Sequence, residues 1–332
     1  MDTARLATMA GSLLLASAAF GQGAAPAAPA AAPTTAAGDS LSPTATFAFS
    51  PSRGADSTIF WDGFLNGLRG FEHFYNPIGQ PIYFETPFNN SGIRLLFLHH
   101  EFDDDSQLGG GDVNVAAVQA RLALTERLGF IATKDGYSWL NAGILPEDEG
   151  WNSIAAGLKY AVIVDRENDF VLTPGIRYQM RAGEAKVLQS TTDEVSPFVS
   201  AAKGWGRFHA IGDVTLRVPF DHDEGNDILQ WDLHGDYEIA PETLPGFAPV
   251  VELHGLHYLS DGTKLPLSVG GLDYANIGSA DVSGSTVVWM GVGARYKLSP
   301  HTSVGADYEF ALTNWKADIM SERVTVDFEL TW

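Results

Sequence analysis

His257 and Ser260 are the residue types of a base and a nucleophile, and an imidazole can deprotonate a hydroxyl when the two share one face. They lie three residues apart, which puts them on opposite sides of an extended strand unless the strand has already ended. No oxyanion partner, phosphate loop, dinucleotide fingerprint or Ser-centred nucleophile elbow accompanies them. His99-His100-Glu101, followed by Asp103-Asp104-Asp105, supplies metal-ligand types, but neighbouring strand residues point apart and the two imidazoles do not readily share an ion. Asp221-His222-Asp223-Glu224-Gly225-Asn226-Asp227 carries oxygen ligands for Ca²⁺ or Mg²⁺, with its glycine one position early for an EF-hand; a solvated acidic loop is the simpler reading. The expectation is therefore no catalytic residue, no metal site and no cofactor.

A larger set of polar side chains recurs on one face of alternating segments. Its bases are Arg121, Lys159, Arg177, Arg217, Arg295 and Lys297. Its acids are Asp213, Asp232, Asp236, Glu238, Glu252, Asp307, Glu309, Asp327 and Glu329, with His234 and His254 among them. One reading is a hydrated ion-pair network that braces a barrel. The other is a pore lining whose opposed basic and acidic ladders orient a solute dipole and set ion preference. The two are compatible. Acids also crowd the connecting segments (Asp103, Asp104, Asp105, Asp112, Glu147, Asp148, Glu149, Asp221, Asp223, Glu224, Asp227), which predicts a modest preference for cations.

The elements that position this set are strands. Alternation predicts twelve of them, near 92–102, 113–125, 128–136, 152–164, 169–180, 195–203, 207–218, 228–239, 247–258, 287–298, 302–312 and 323–332. In the clearest, Leu229, Trp231, Leu233, Tyr237 and Ile239 oppose Gln230, Asp232, His234, Asp236 and Glu238. Five short links (125–128, 165–168, 203–206, 240–246, 299–301) alternate with six long polar ones (103–112, 137–151, 181–194, 219–227, 259–286, 313–322). A closed antiparallel barrel with both ends on one side of a membrane has this rhythm; a soluble meander has no reason for it. Aromatics gather at both strand ends: Phe170, Trp205, Phe208, Tyr237, Phe247, Tyr296 and Trp332 near the short turns, and Phe102, Tyr137, Trp139, Trp151, Tyr178, Phe220, Trp231, Tyr258, Trp289 and Trp315 near the long loops.

The 332-residue chain has no cysteine and a formal net charge of -21, which excludes a disulfide scaffold, a thiolate metal site and, with its Lys and Arg scattered singly, a nucleic-acid partner. Arg5, the apolar run Leu6–Phe20 and Ala16-Ser17-Ala18 predict a cleavable signal peptide over 1–22. No later stretch approaches the roughly 20 apolar residues of a spanning helix. Residues 23–57 read as a disordered Ala/Pro-rich leader. Residues 58–91 read as a periplasmic lead-in. Phe60, Trp61, Phe64, Leu65, Leu68 and Phe71 approach helical spacing there, so a short amphipathic helix would lie at the interface, the blander option, or pack into the mouth as a plug. The extended Pro77, Pro81 and Pro87 stretch follows, and 92–332 is the barrel.

In the last ten residues Val324, Val326, Phe328, Leu330 and Trp332 share one face, and this segment resembles the closing strand of a bacterial outer-membrane β-barrel. The resemblance implies that Phe328, Leu330 and Trp332 form the signal read by the barrel-assembly machinery. The general layout also resembles outer-membrane transporters grouped with phenol-degradation pathways, over most of the chain from Gly92 onward, with no substrate-binding residue to carry across. His257-Tyr258-Leu259-Ser260 faintly resembles the His/Ser region of outer-membrane phospholipases, whose His and Ser stand two apart. The fold expected is all-β: a closed antiparallel transmembrane barrel of about twelve strands, with short periplasmic turns and long external loops. The function expected is passive passage of small solutes through the outer membrane, in contact with its lipid and without catalysis. A lipid-modifying enzyme and a structural or surface-binding barrel with a closed lumen stay open as alternatives.

Overall fold

The computed structural model describes residues 63–268, 270, 273–313 and 319–332. The expected signal peptide, leader and Trp315 lie outside the described residues. Fifteen strand segments form one antiparallel sheet: β1 (Gly92–Phe102), β2 (Gly111–Ala123), β3 (Leu128–Lys134), β4 (Tyr137–Ala142), β5 (Asp148–Trp151), β6 (Ile154–Tyr160), β7 (Ile163–Asp165), β8 (Phe170–Met180), β9 (Glu194–Trp205), β10 (Phe208–Pro219), β11 (Ile228–Tyr237), β12 (Phe247–Tyr258), β13 (Thr286–Ser299), β14 (Thr302–Ala311) and β15 (Glu322–Thr331). β3 and β4 both pair with β2 and make one interrupted stave. β5, β6 and β7 make another, since β5 pairs β4, β6 pairs β3, and β6 and β7 share β8. Twelve staves result. β1 pairs β15 from Gly92↔Thr331 to Glu101↔Glu322 and also pairs β2, so the sheet closes on itself; β5 and β7, the two ends of their stave, each have a strand neighbour on one side only.

Two segment boundaries depart from expectation for a definable reason. The stretch 137–151, expected as a long loop, is mostly the β4–β5 hairpin. Asp135-Gly136 looks like a turn in sequence but is a kink within a stave: Gly136 sits at φ 97, and a Cβ there would lie 2.4 Å from the Ala116 carbonyl oxygen. A register shift between Ala132 and Lys134 accompanies it and turns Thr133 and Lys134 both inward, where strict alternation would have sent the lysine into lipid.

The two faces settle the solvent question. Leu95, Phe97, Leu158, Ile176, Val199, Val214, Leu233, Val251 and Val292 all point outward and are exposed, whereas Lys159, Arg177, Arg217, Arg295 and Arg323 are buried inside. In water that surface would forfeit about 25 cal/mol per Å² of apolar area, so the arrangement suits only hydrocarbon outside. Trp205, Phe208, Tyr237 and Trp332 at the short-turn end, and Trp139, Trp151, Tyr178 and Phe220 at the other, stand outward as two interfacial bands. Phe102, Tyr258 and Trp289, expected in the second band, instead point inward and are buried, because they occupy the opposite parity from outward neighbours such as Val288 and Met290.

No helix forms over the described part of 60–71. Gly63, Gly67 and Gly70 take φ of 78, 66 and 97, and Leu65 takes 63, all in the left-handed region, so the chain folds as a turn. The residues that follow, 68–91, run into the barrel from the short-turn end and return to begin β1. Leu68, Phe71, Phe74, Phe84 and Phe88 pack there against Ala161, Val171, Ala202 and Ile211 of the wall. Toward the long-loop end, the described residues of the loop 259–285 fold inward. Its Tyr274 and Ala275 cluster with Leu98, Phe102, Val113 and Leu140, while Val282 packs with Ile228, Leu256 and Trp289. The interior of this barrel is a core.

Candidate functional site

The lumen wall carries charge at alternate positions because each inward side chain is followed by one in lipid. Arg121, Lys159, Arg177, Asp213, Arg217, Asp232, His234, Asp236, Glu252, His254, Arg295, Asp307, Glu309, Asp327 and Glu329 all lie on this inner face, with Arg121 part-exposed and the others buried. Glu238 continues the same inward parity just beyond the end of β11, half-buried at the short-turn rim, where it faces Tyr75 of the lead-in and accepts a hydrogen bond from Gly246 N at 3.3 Å. Sequence reasoning left out Arg94, Lys134, Glu194, His209 and Arg323, which are buried in the same lumen. Arg94, Glu194 and Arg323 could have been found by extending the parity of their strands, whereas Lys134 depends on the bulge.

Most wall charges meet a partner one or two staves away. Arg217 Nε donates to Glu194 Oε1 at 3.0 Å, Arg295 Nη2 to Asp327 Oδ2 at 2.7 Å, and Arg94 Nε to the same Asp327 oxygen at 2.6 Å. A second network alternates imidazole and carboxylate across β10, β11 and β12: His209 Nδ1 to Asp236 Oδ1 (2.7 Å), Asp236 Oδ2 to His234 Nε2 (3.2 Å), His234 Nδ1 to Glu252 Oε1 (2.7 Å), and His254 Nδ1 to Asp232 Oδ1 (2.8 Å). Pairs of this kind cost little net free energy while intact, but removal of one partner strands a buried charge at about 3–5 kcal/mol.

The lead-in is bound to this wall along its length. At the foot, Lys297 Nζ donates to the carbonyls of Glu72 (2.8 Å) and His73 (3.0 Å) and sits 3.7 Å from the Tyr75 ring centroid. Arg295 donates to Asn76 O at 2.8 Å, and Arg94 to Ile78 O at 2.9 Å. At the apex, Glu252 accepts from Ile78 N (2.9 Å) and Gly79 N (2.7 Å), one carboxylate oxygen each. On the return leg, Tyr83 Oη donates to Glu194 (3.0 Å), Glu85 pairs with Arg121 and Lys159, and Thr173 Oγ1 donates to Pro87 O (2.7 Å). The backbone of this proline-rich stretch makes no ladder, so wall side chains supply the partners that a strand would have found in its neighbours.

The inward loop meets the same apex. Gln80 Nε2 donates to Asp273 Oδ2 at 2.8 Å, Arg323 grips both Asp273 oxygens at 2.7 Å, and Lys134 donates to the Tyr274 carbonyl. Burial pushes the Asp273 carboxyl up, but Arg323 beside it more than reverses this and holds it below the ordinary carboxylate range. Between loop and apex, Pro81, Ile82, Gln119, Lys134 and Tyr274 enclose a cavity of 20 Å³. At the short-turn mouth a pocket beside Arg69, Glu72 and Lys297 measures 80 Å³. These spaces hold one or a few waters and no larger solute. The conformation described is a closed one.

The residues with catalytic or metal-binding types are not brought together. His257 Nδ1 lies 2.8 Å from Thr286 Oγ1, and Ser260 Oγ accepts from Asp227 N at 2.8 Å, so base and nucleophile have separate partners. His99 contacts Asn114 at 2.9 Å, while His100 points inward to the Ile319 carbonyl at 3.0 Å. Among the described residues no group of three His, Cys, Asp or Glu side chains is placed to hold a metal ion.

No family model matches the chain, and neither does any curated protein. Among solved structures, the COG4313 outer membrane channel from Pseudomonas putida F1 is similar over 78% of this chain and 100% of its own, with a TM-score of 0.52 and 14% identity. The NanC porin aligns with a TM-score of 0.43 and 9% identity over 73% of this chain and 100% of its own. The KdgM porin in complex with disordered oligogalacturonate aligns with a TM-score of 0.41 and 11% identity over 72% of this chain and 99% of its own. What the first of these shares with the chain is a fold: a closed antiparallel outer-membrane β-barrel.

Proposed function

We propose that this protein is an outer-membrane channel for small solutes, held closed by its own lead-in and by the loop 259–285. The observation that carries this reading is the wall itself. A barrel needing only mechanical stability could fill its interior with aliphatic side chains, yet this one lines it with arginines, carboxylates and imidazoles that water would solvate if the lead-in withdrew. The lead-in, moreover, is tied by hydrogen bonds to charged groups, which water can replace. The acids of the external loops, Asp103 to Asp105 and Asp221 to Asp227 among them, favour a modest preference for cations at the outer mouth.

The test is conductance of the purified protein in planar bilayers. Brief openings in the native protein, lengthened when residues 72–88 are cut out, support the channel. A folded, inserted barrel that stays silent after that excision and after release of the loop refutes it, leaving the closed structural barrel. Reversal potentials favouring chloride in a KCl gradient would refute the cation preference alone.

A further inference from the structure

We infer that Arg121, Lys159 and Arg177 form a binding site for the carboxylate of an organic acid with an apolar body, and that Glu85 of the lead-in occupies this site in the closed barrel. The inference rests on the channel reading, not on the cation preference at the outer mouth, and names a solute class for it.

Glu85 is fully buried. Arg121 approaches it with both arms of its fork, Nε at 3.0 Å and Nη2 at 2.8 Å, and Lys159 Nζ donates at 2.7 Å. The other two bonds of Lys159 go to the carbonyls of Thr86 (2.8 Å) and Phe88 (2.6 Å), so every hydrogen bond it makes is to the lead-in. Arg217, Arg295 and Arg94 differ in kind, for each has a carboxylate of the wall itself. Arg121 and Lys159, on β2 and β6, thus take their hydrogen-bonded counter-charge from outside the wall, while Arg177 of β8 has the wall carboxylate Asp213 in its field but no hydrogen bond to it.

Arg177 supplies the second observation. It is buried, yet none of its guanidinium nitrogens has a hydrogen-bond partner. Its carbon lies 5.3 Å from the Tyr83 ring of the lead-in and 5.2 Å from the Phe198 ring of the wall. An arginine that served only to staple the lead-in would spend donors on it. This one keeps them all, on the cross-strand row that runs from Arg121 through Ile131 and Gly157 to Arg177. Gly157 leaves that row open, and Phe198 lies flat across Gly175, where a Cβ would come within 2.2 Å of the ring. The geometry offers a carboxylate a bidentate fork, an ammonium and a spare guanidinium, with an aromatic surface beside them for the rest of the molecule. The Tyr83-Phe84-Glu85 run of the lead-in presents the same combination, an aromatic body next to a carboxylate. A 30 Å³ pocket lined in part by Thr86, Phe88 and Arg121 lies beside the site.

The chain has no cysteine, so Thr86→Cys introduces a single reporter on the lead-in. Its reaction with a water-soluble maleimide is followed in the full-length protein in detergent, with benzoate as the probe and with benzamide and chloride at matched ionic strength as controls. Displacement of Glu85 predicts that labelling accelerates saturably, by about tenfold, with benzoate alone, since a ligand of the open arrangement draws population toward it. Adding Glu85→Gln predicts fast labelling without any probe. Adding Arg177→Met predicts loss of the benzoate response while the barrel keeps its heat-modifiable mobility. No benzoate response, an equal response to benzamide or chloride, slow labelling in Glu85→Gln, or a response untouched by Arg177→Met would each overturn the site. Bilayer conductance is read separately: a protein that conducts without any benzoate response keeps the channel and loses the site, and one that responds to benzoate without conducting does the reverse.

Discussion

Gly79 is the position at which the closed state is most open to a clean perturbation. A Cβ built there would lie 2.7 Å from Glu252 Oε2, 3.0 Å from His254 Nε2 and 3.1 Å from Asp307 Oδ2. Ordinary contact needs about 0.7 Å more, and the atom that must yield, Glu252 Oε2, is the one that accepts the 2.7 Å bond from Gly79 N. Gly79→Ala therefore breaks one charge-assisted bond of the apex and strains the second, Ile78 N to Glu252 Oε1. A hydrogen bond to a charged group is worth about 1.5–3 kcal/mol, so the ratio of open to closed lead-in should rise about tenfold to a hundredfold. No wall residue is replaced and only the tip of the Glu252 side chain must shift, so barrel stability in urea should stay within about 0.5 kcal/mol of the parent. Single-channel recording reads the effect as more frequent and longer openings. Glu252→Ala in the same background should add less than it does alone, because both substitutions remove the same bonds. An open probability equal to that of the parent, or full additivity of the two, would refute the claim that Glu252 latches the apex.

Other consequences are open to measurement. Arg323→Met leaves Asp273 without its guanidinium and should free the loop 259–285, seen as protease cleavage near Tyr274 that the parent resists; equal resistance would show that the apolar cluster and the remaining bonds from Gln80, Lys134 and Arg217 hold it without Arg323. Because Asp273 titrates below its unfolded value of about 3.9, its pairing contributes fully above that pH and is lost only as the pH falls through the lower folded value. The loop should accordingly stay seated from pH 7 to pH 5 and loosen only in stronger acid; release within that upper range would contradict the assignment. Leu233→Arg places a charge in the lipid belt and should destabilise folding into liposomes by about 2–4 kcal/mol, whereas a neutral result would argue against hydrocarbon on that face.

The barrel was legible in the sequence because lipid outside and charge inside impose a period of two that nothing else in the chain imitates. β1 and β12 fall at the expected bounds, and β11, with Trp231 and Leu233 opposed to Asp232 and His234, displays the same pattern. What was not legible depends on contacts far apart in the chain. Asp135-Gly136 has the composition of a turn and becomes a kink, since only the Ala116 backbone opposite reveals the close approach. Glu85 sits in a proline-rich stretch with no period, and its meaning comes from Arg121 and Lys159, 36 and 74 residues away. Trp289 belongs to the interior by parity alone, donating to Glu309 at 2.9 Å, although its size suggested the membrane interface.

The lead-in is built in two chemically different parts, and the difference bears on how the lumen would open. Phe71, Phe74 and Phe88 pack on one another, with centroids 5.8 Å (Phe71–Phe88) and 4.9 Å (Phe74–Phe88) apart, and seal the legs of the excursion against Val171, Ala202 and Ile211. Burying three such side chains away from water is worth about 5–9 kcal/mol, which withdrawal of the whole segment would forfeit. The stretch between them buries Phe84 in the same cluster but is otherwise held at Ile78, Gly79, Gln80 and Glu85 by bonds to charged or amide groups that water or a competing ion can replace at much lower cost. Movement of that polar stretch on a fixed aromatic stem is thus cheaper than expulsion of the segment. A crosslink between Phe71 and Ala202, both replaced by cysteine, should accordingly leave opening intact, and a crosslink between Gly79 and Asp307 replaced in the same way should abolish it. If both crosslinks silence the channel, the segment moves as one body and the division into stem and apex is wrong.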